Sequence, residues 1–449
     1  MEKQSSINKG YKMEELLRNY FLQSGYYVVR GVPFIYEKVN VTDIDLWLYG
    51  RGSSVSREIA IVDSKNKKTP QAIERIFWVQ GLKQAIKATN AIVATTDKRQ
   101  EVKDFGRELG VLVLDGFFLS KLEVRFGKSL SLRLSDEEFS SKINEYTLQK
   151  IDGDWKGRIS YCKSLLSRGL SFDNCNEWLA QANFFAEQVI TKPKERETSL
   201  RCLYLICSFI AVGIDFILKE FSFLEQSERI NLITEGFTYG SKGNIGMNKI
   251  LNVSMGLVQQ YANDGTAISN QVRASIERQL SAIPTNILGE YFSKIDVVMS
   301  IFKVAKDFEE LSMQRNFSSH TMASVELRGM LACLLDYWGI DRVQFSDALK
   351  VLMREWITGL LLGILLGTLG FFFAWLGLGT TPRFALVISL TILGICMWAN
   401  VVGSMVPLVA TRLGIDPAIV SAPLISTLVD VTGLVIYYII AISILVNVL

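Results

Sequence analysis

Charge almost disappears from the chain after Trp356. Between that residue and the C-terminus, the ionised side chains are Arg383, Arg412, Asp416 and Asp430. A bilayer core about 30 Å thick requires about 20 apolar residues in one helix. Three apolar stretches reach this length, at residues 356–379, 384–410 and 423–448. The pattern therefore predicts three transmembrane helices, separated by polar turns at residues 380–383 and 412–416.

The orientation of these spans is predicted from the few charges beside them. Lys350 and Arg354 precede the first span, and basic residues next to a span favour the cytoplasmic side. The polar start of the chain has no apolar core of a signal peptide. We therefore expect a multi-pass protein of the inner or plasma membrane, in contact with lipid, with its N-terminal domains in the cytoplasm.

Before the apolar tail, the spacing of apolar positions in residues 9–116 alternates between the period of a helix and that of a strand. Leu17 and Phe21 share one helical stripe, and Gly25 ends that helix. The pattern then predicts strands at residues 26–29, 44–49 and 58–63, a helix at 70–88, a strand at 91–94, a helix at 100–109 and a strand at 111–114. This order predicts a mixed sheet flanked by helices, with an αβββαβ core and one extra αβ unit.

The middle of the chain, about residues 135–346, has helical periodicity and little recognisable chemistry. Its most apolar helix, residues 203–218, contains Asp215 and is short for a span, which favours a buried helix of a soluble domain. We therefore divide the chain into an α/β domain at 1–132, an all-α middle domain at 133–347 and a membrane segment at 348–449.

Composition limits the chemistry that this chain can support. The formal net charge is +3, the six cysteines show no CxxC or metal-finger spacing, and His320 is the only histidine. Scattered cysteines are typical of a reduced cytoplasmic protein. Catalysis would then depend on carboxylates, lysine and a hard metal ion, and His320 is expected to be a surface residue next to a helix cap.

Two neighbouring predicted strands carry the candidate catalytic groups. Asp63 and Lys65 are two residues apart at the end of one strand, so their side chains lie on the same face. The preceding strand offers Asp45. Two carboxylates on adjacent strands can share Mg²⁺, which prefers oxygen ligands, while a lysine stabilises charge on a phosphate. This arrangement is typical of phosphodiester cleavage.

With these residues in this order, the first quarter of the chain resembles the PD-(D/E)xK restriction-endonuclease-like superfamily, especially its Mrr-like and resolvase-like branches. The resemblance implies that Asp45 and Asp63 bind the metal, that Lys65 is the catalytic lysine and that Glu14 supports the cluster. It also places Gln80 near the site. Asp45 follows Ile44 where proline is more usual, and Asp63 stands where glutamate is more usual. The implied partner is nucleic acid, with DNA favoured over RNA.

The apolar tail contains a second candidate cation site. Asp430 lies within the third predicted span, with Ser426 and Thr427 on the same helical side at spacings of three and four. Ionisable groups inside a span are costly and mark ion pathways or buried interfaces. Oxygen ligands in this pattern suit a hydrated divalent cation. The alternative is a polar patch that holds helices together.

Residues 350–449 resemble the end of the membrane domain of MgtE-type magnesium transporters. The similarity includes the glycines Gly359, Gly363 and Gly367 of the first span, Asn400 of the second, and the third span around Asp430. By this resemblance Asp430 is a pore carboxylate that binds Mg²⁺. The family has five spans, and the tail matches the last three, so we expect a homodimer or other helix partners.

The sequence therefore predicts a membrane-attached, Mg²⁺-dependent nuclease with an MgtE-like tail. One alternative is a divalent-cation transporter component that carries an inactive or accessory nuclease-like domain. Another is a fusion in which one half alone is functional.

Overall fold

The computed structural model describes residues 9–37, 39–65, 71–126, 132–341, 348–412 and 422–445. The chain divides into two compact units, Met1–Gly339 and Ile340–Leu449. The strands are β1 Tyr27–Tyr36, β2 Val39–Arg51, β3 Arg57–Lys65, β4 Asn90–Thr95 and β5 Val111–Leu114. The helices of the first unit are α1 Lys9–Gln23, α2 Ala72–Ala85, α3 Gln100–Glu108, α4 Gly116–Phe126, α5 Asp136–Glu145, α6 Trp155–Leu166, α7 Phe172–Thr191, α8 Arg196–Leu218, α9 Gln226–Tyr239, α10 Gly243–Tyr261, α11 Gly265–Ser281, α12 Thr285–Phe292, α13 Ile295–Met313 and α14 Val325–Tyr337. Those of the second unit are α15 Ala348–Phe372, α16 Pro382–Arg412 and α17 Ala422–Leu445.

The five strands form one mixed sheet in the order β1-β2-β3-β4-β5. Strands β1, β2 and β3 pair antiparallel, whereas β3, β4 and β5 pair parallel through the crossover helices α2 and α3. Antiparallel neighbours need only a short turn, while parallel neighbours need a crossover helix. The predicted order of helices and strands in this part of the chain is thus confirmed.

One face of the sheet packs against α1 and α4. Leu16 and Leu17 of α1 are buried against the inward-facing residues of the strands, including Leu46, Leu48 and Val62. Side chains along a strand alternate between the two faces of a sheet. Asp45 and Asp63 therefore belong to the opposite face.

Helix α8 lies at the centre of the first unit. Within the described residues, four helices are long and apolar enough to cross a membrane, and the one at Pro193–Phe221 has 89% of its most apolar window buried in the protein. Asp215 of this helix is fully buried, and its carboxylate contacts Tyr49 Oη and Arg57 Nε, both at 2.6 Å. The sheet therefore supplies the hydrogen bonds that a buried carboxylate needs, and the prediction of a buried helix is confirmed.

Buried ion pairs join α1 to the helical part of the same unit. Arg18 of α1 lies 2.7 Å from Asp136 of α5 and 2.7 Å from Glu309 of α13. Lys163 of α6 also contacts Asp136. The predicted α/β domain and the predicted all-α middle domain therefore lie in one compact unit, although their boundary near residue 132 remains a prediction.

In the second unit, α15 packs closely against α16 through a row of glycines. A Cβ added at Gly363 would lie 3.0 Å from Leu393 Cα, and one added at Gly367 would lie 2.8 Å from the Ser389 carbonyl oxygen. Small residues at these positions let two helix backbones approach in an apolar medium. Candidate spans occur at Trp356–Gly377, Pro382–Gly403 and Ser426–Ile444, close to the three predicted ones. The predicted turn at 412–416 lies largely outside the described residues.

His320 differs from its prediction as a surface residue. Its side chain is buried at 9% exposure, and its Nδ1 lies 2.7 Å from Tyr204 Oη of α8. The polar sequence around it indicated a solvent-exposed cap, but the buried tyrosine hydroxyl provides a partner that the local pattern does not show.

Candidate functional site

The two candidate metal ligands of the sheet are brought next to each other. The β2–β3 pairing ends at Leu46 and Val62, so Asp45 and Asp63 are the next residues of the two strands. Asp45 Oδ2 accepts a hydrogen bond of 2.6 Å from the Ser64 backbone N–H. Lys65 Nζ lies 3.9 Å from the same oxygen. The structure thus brings Asp45, Asp63 and Lys65 together, as the sequence predicts.

Asp63 has a partner that the sequence analysis missed. Arg75 of α2 donates from Nε to Asp63 Oδ2 at 2.8 Å and makes a second contact to Oδ1 through Nη2. The guanidinium also lies 5.5 Å from the ring centroid of Trp78. A cavity of about 290 Å³ opens beside this pair, lined by Lys65, Gln71, Glu74, Arg75 and Trp78. The sequence signal for this pair was the spacing of Arg75 and Trp78, since residues three apart share one face of a helix.

Glu14 is held by a different cation. Arg30 of β1 donates from Nε to Glu14 Oε2 at 2.6 Å and from Nη1 to Glu15 at 2.7 Å. The same guanidinium contacts Glu137 of α5. Glu14 is therefore ion-paired beside the cluster rather than in direct contact with Asp45 or Asp63.

The electrostatics of the cluster show that these groups influence one another. Burial raises the pKa of Asp45 to about 6, against the opposing effects of the Ser64 N–H and Lys65, and the charges of Asp63 and Glu14 raise it further. Burial also raises the pKa of Glu14, although Arg30 opposes this. Carboxylates that perturb each other in this way are common at functional sites and also occur in structural ion-pair networks.

The remaining sequence-predicted residues are less informative. Gln80 lies on α2 but not among the residues that line the cavity, and its buried Oε1 has no hydrogen-bond partner within the described part of the chain. Lys67 and Lys68, two lysines that follow Lys65 closely enough to fit phosphate contacts, lie outside the described residues.

The oxygen ligands that Asp45 and Asp63 supply fit a hard divalent cation only in part. Across the described ranges, no three His, Cys, Asp or Glu side chains come together as a metal-binding group. Asp45 and Asp63 supply carboxylate oxygens from two adjacent strands, and Mg²⁺ commonly uses one or two protein carboxylates together with waters and phosphate oxygens. These two residues could hold Mg²⁺ once Arg75 no longer occupies Asp63.

The membrane unit exposes its candidate cation ligands. Helix α17 contacts α16 through Thr432, whose Oγ1 accepts a 2.7 Å hydrogen bond from Trp398 Nε1, and through Gly433, which approaches Ile395. Ser426, Thr427 and Asp430 are exposed on α17. These three polar side chains are therefore exposed on α17, while Thr432 and Gly433 contact α16.

Comparisons with known proteins identify the class of the C-terminal region. The family model described as "MgtE: Divalent cation transporter" matches residues 330–440. Magnesium transporter MgtE of Thermus thermophilus is 42% identical over 99 residues, which cover 21% of this chain and 21% of that protein. Magnesium transporter MgtE of Enterococcus faecalis is 35% identical over 103 residues, or 22% of this chain and 20% of that protein. No solved structure matches the chain significantly.

These matches confirm the predicted MgtE resemblance. The family model covers the C-terminal part of the chain, at residues 330–440. The chain spans about a fifth of the length of the two curated relatives. The C-terminal region is therefore MgtE-like and belongs to a membrane protein. The restriction-endonuclease-like resemblance of the N-terminal domain remains a prediction.

Proposed function

We propose that this protein is a component of a divalent-cation transport system, with Mg²⁺ as its cargo and with α15, α16 and α17 in the membrane. The observation that carries the proposal is the match of residues 330–440 to a divalent cation transporter family. Asp430 lies within this match, on a helix with no other charged residue. Transport is therefore favoured over nuclease activity as the main function.

Asp430 is the residue we propose for cation binding. A charged side chain facing lipid is costly, so such groups almost always face protein or a water-filled path. Ser426 and Thr427 add hydroxyl oxygens on the same exposed surface. Because Mg²⁺ loses its water reluctantly, we expect these groups to bind it with much of its hydration shell in place.

The exposure of this surface supports an assembly of more than one chain. A single copy supplies α15, α16 and α17, and among the described side chains α16 contacts α17 at Thr432 and Gly433, while Asp430 remains exposed. A homodimer would provide a second set of helices to cover Asp430 and complete a polar path. We further propose that the first unit lies on the cytoplasmic side, as basic residues before the first span favour.

Growth of a bacterial strain that lacks its own magnesium transporters tests the transport function. We expect the full-length chain to restore growth at low external Mg²⁺, and Asp430→Asn to fail at equal membrane abundance. Ser443→Ala, at the exposed end of the same helix, is the matched control and should restore growth. Restoration by Asp430→Asn as well would refute the role of this carboxylate.

A second candidate function is Mg²⁺-dependent hydrolysis of nucleic acid by the first unit. The specific observation in its favour is the convergence of Asp45, Asp63 and Lys65, with the pKa of Asp45 raised to about 6. Asp45 and Asp63 would hold the metal, which supplies charge neutralisation at the phosphate. Lys65 would orient the attacking water and stabilise the developing negative charge, while Glu14 acts at longer range.

Incubation of the full-length protein with Mg²⁺ and labelled DNA or RNA tests this second function. We expect cleavage by wild type and none by Lys65→Ala. Lys12→Ala removes an exposed lysine that pairs with Glu123 at 2.6 Å, and it should cut at the wild-type rate. Equal cleavage by Lys65→Ala and wild type would rule out the proposed lysine.

A further inference from the structure

Lys65 also lines a cavity whose other residues, including Arg75 and Trp78, have no role in either proposed function. Its volume of about 290 Å³ is near the lower limit of about 300 Å³ for small-molecule sites. Its lining combines two cations, Lys65 and Arg75, with one carboxylate, Glu74, and one large ring, Trp78. The charges favour an anionic ligand, and the ring provides an apolar surface next to them.

Trp78 is unusual because so much of its ring remains accessible. It is 43% exposed, although indole rings are mostly buried in folded proteins. Its neighbour Phe77 is also exposed but contacts Phe105 of α3, with ring centroids 5.4 Å apart. The two adjacent aromatic rings therefore differ in role, since Phe77 packs between helices and Trp78 lines the cavity.

Arg75 is placed to bind either the Asp63 carboxylate or a phosphate in the cavity. Its guanidinium binds Asp63 and lies over the face of Trp78. The planar fork of arginine binds carboxylate and phosphate with similar bidentate geometry. A divalent cation on Asp63 would replace Arg75 as the counter-charge, which would leave the guanidinium available to a phosphate in the cavity.

We propose that this cavity, lined by Lys65, Arg75 and Trp78, binds one nucleotide of a single-stranded nucleic acid. The base stacks on Trp78, and the adjoining phosphate contacts Lys65 and Arg75. A single strand is favoured because bases in a duplex are stacked on each other and cannot present a free face to the ring. The inference deepens the second candidate function, but strand binding itself does not require hydrolysis.

Fluorescence anisotropy with the full-length protein in detergent and a labelled oligonucleotide tests this site. One set of titrations contains EDTA, which prevents metal-dependent cleavage. A second set contains Ca²⁺ in place of EDTA. We expect the single strand to bind more tightly than its duplex, and more tightly in Ca²⁺ than in EDTA. Trp78→Ala should weaken single-strand binding about 5- to 150-fold, as loss of one stacked base does.

Two further variants separate stacking from general damage to α2. Trp78→Phe keeps an aromatic ring and should retain most of the affinity. Phe77→Ala is the matched control, because it removes a neighbouring exposed ring outside the cavity, and it should bind like wild type. Equal affinity of Trp78→Ala and wild type would overturn the proposal, as would tighter binding of the duplex or an equal loss in Phe77→Ala.

Failure of this inference is distinguishable from failure of the nuclease function. If wild type cuts no strand in Mg²⁺ but Trp78→Ala still loses affinity, the binding site stands and the nuclease function falls. If Lys65→Ala abolishes cleavage while Trp78→Ala leaves strand affinity unchanged, the nuclease function stands and this site falls.

Discussion

Trp398 Nε1 donates a 2.7 Å hydrogen bond to the hydroxyl of Thr432, and this bond joins the last two membrane helices. The same hydroxyl donates to the Leu428 carbonyl oxygen at 2.7 Å. The Thr432 hydroxyl therefore donates one hydrogen bond and accepts another. Together with the approach of Gly433 to Ile395, the bond from Trp398 turns this side of α17 towards α16. Asp430, two residues earlier, is exposed.

Replacement of Thr432 should show how much this contact contributes. Thr432→Val keeps the shape of the side chain but leaves the Trp398 N–H without its partner, which we expect to cost about 1 kcal/mol. The thermal midpoint of the detergent-solubilised protein should fall. Thr432→Ser retains the hydroxyl and serves as the control, with a midpoint near that of wild type. Equal midpoints for the valine and serine variants would show that the bond contributes nothing.

The glycine row of α15 gives a second prediction. A Cβ at Gly367 would lie 2.8 Å from the Ser389 carbonyl oxygen, so Gly367→Ala must push the two helices apart, at about 1–3 kcal/mol. Cys396 of α16 lies in this interface, 3.4 Å from a Cβ added at Gly363. We expect faster maleimide labelling of Cys396 in Gly367→Ala, followed by mass spectrometry.

The control for this experiment is Gly403→Ala on α16. A Cβ there meets nothing within 4 Å among the described residues, so labelling of Cys396 should stay at the wild-type rate. Unchanged labelling in Gly367→Ala would mean that the interface tolerates a methyl group and is looser than the structure indicates.

The ion pairs around Glu309 predict loss of stability in acid. Burial alone would raise the pKa of Glu309, but Arg133 and Arg18 overcome this and hold the pKa below its usual range. A carboxyl group with a lowered pKa stabilises the fold at pH values above its unfolded pKa of about 4.3. That stability is lost as the pH falls from about 4 towards the lower pKa of the folded state.

Glu309→Gln tests this network directly. At neutral pH the variant should be less stable by about 3–5 kcal/mol, because Arg18 and Arg133 lose a buried counter-charge. The difference from wild type in denaturant unfolding should shrink as the pH falls below about 4. Glu123→Gln, in an exposed pair with Lys12, should change stability by less than about 0.5 kcal/mol. A Glu309→Gln difference that does not vary with pH would contradict the ionic account.

The sequence predicted the order of helices and strands well but not the length of β1. Its predicted strand ends at residue 29, shortly before Gly31 and Pro33. The structure continues β1 to Tyr36, with Gly31 at a φ of 60° and a register shift between Phe34 and Ile35. Strand β1 lies at the edge of the sheet, where a proline that donates no hydrogen bond is tolerated.

Contacts between distant residues explain what the sequence could not predict. The proximity of Asp45, Asp63 and Lys65 was predictable from local signals. The strand period places Asp63 and Lys65 on one face, and Asp45 comes from the preceding strand. Arg30 was not, since it joins Glu14 of α1 to Glu137 of α5, more than 100 residues further along the chain. Arg75 was missed for a different reason, because its spacing of three from Trp78 shows a shared helix face but does not indicate the carboxylate that Arg75 binds.

The most direct measurement for the transport proposal is Mg²⁺ entry into liposomes that contain the purified full-length protein and an internal Mg²⁺-sensitive dye. We predict that an inward Mg²⁺ gradient raises the dye signal above that of empty liposomes and that Asp430→Asn removes this rise. Asp430→Glu, which keeps the charge, should retain part of it. No rise with the wild-type protein, or an equal rise with Asp430→Asn, would contradict the proposal that this MgtE-like segment carries Mg²⁺ through Asp430.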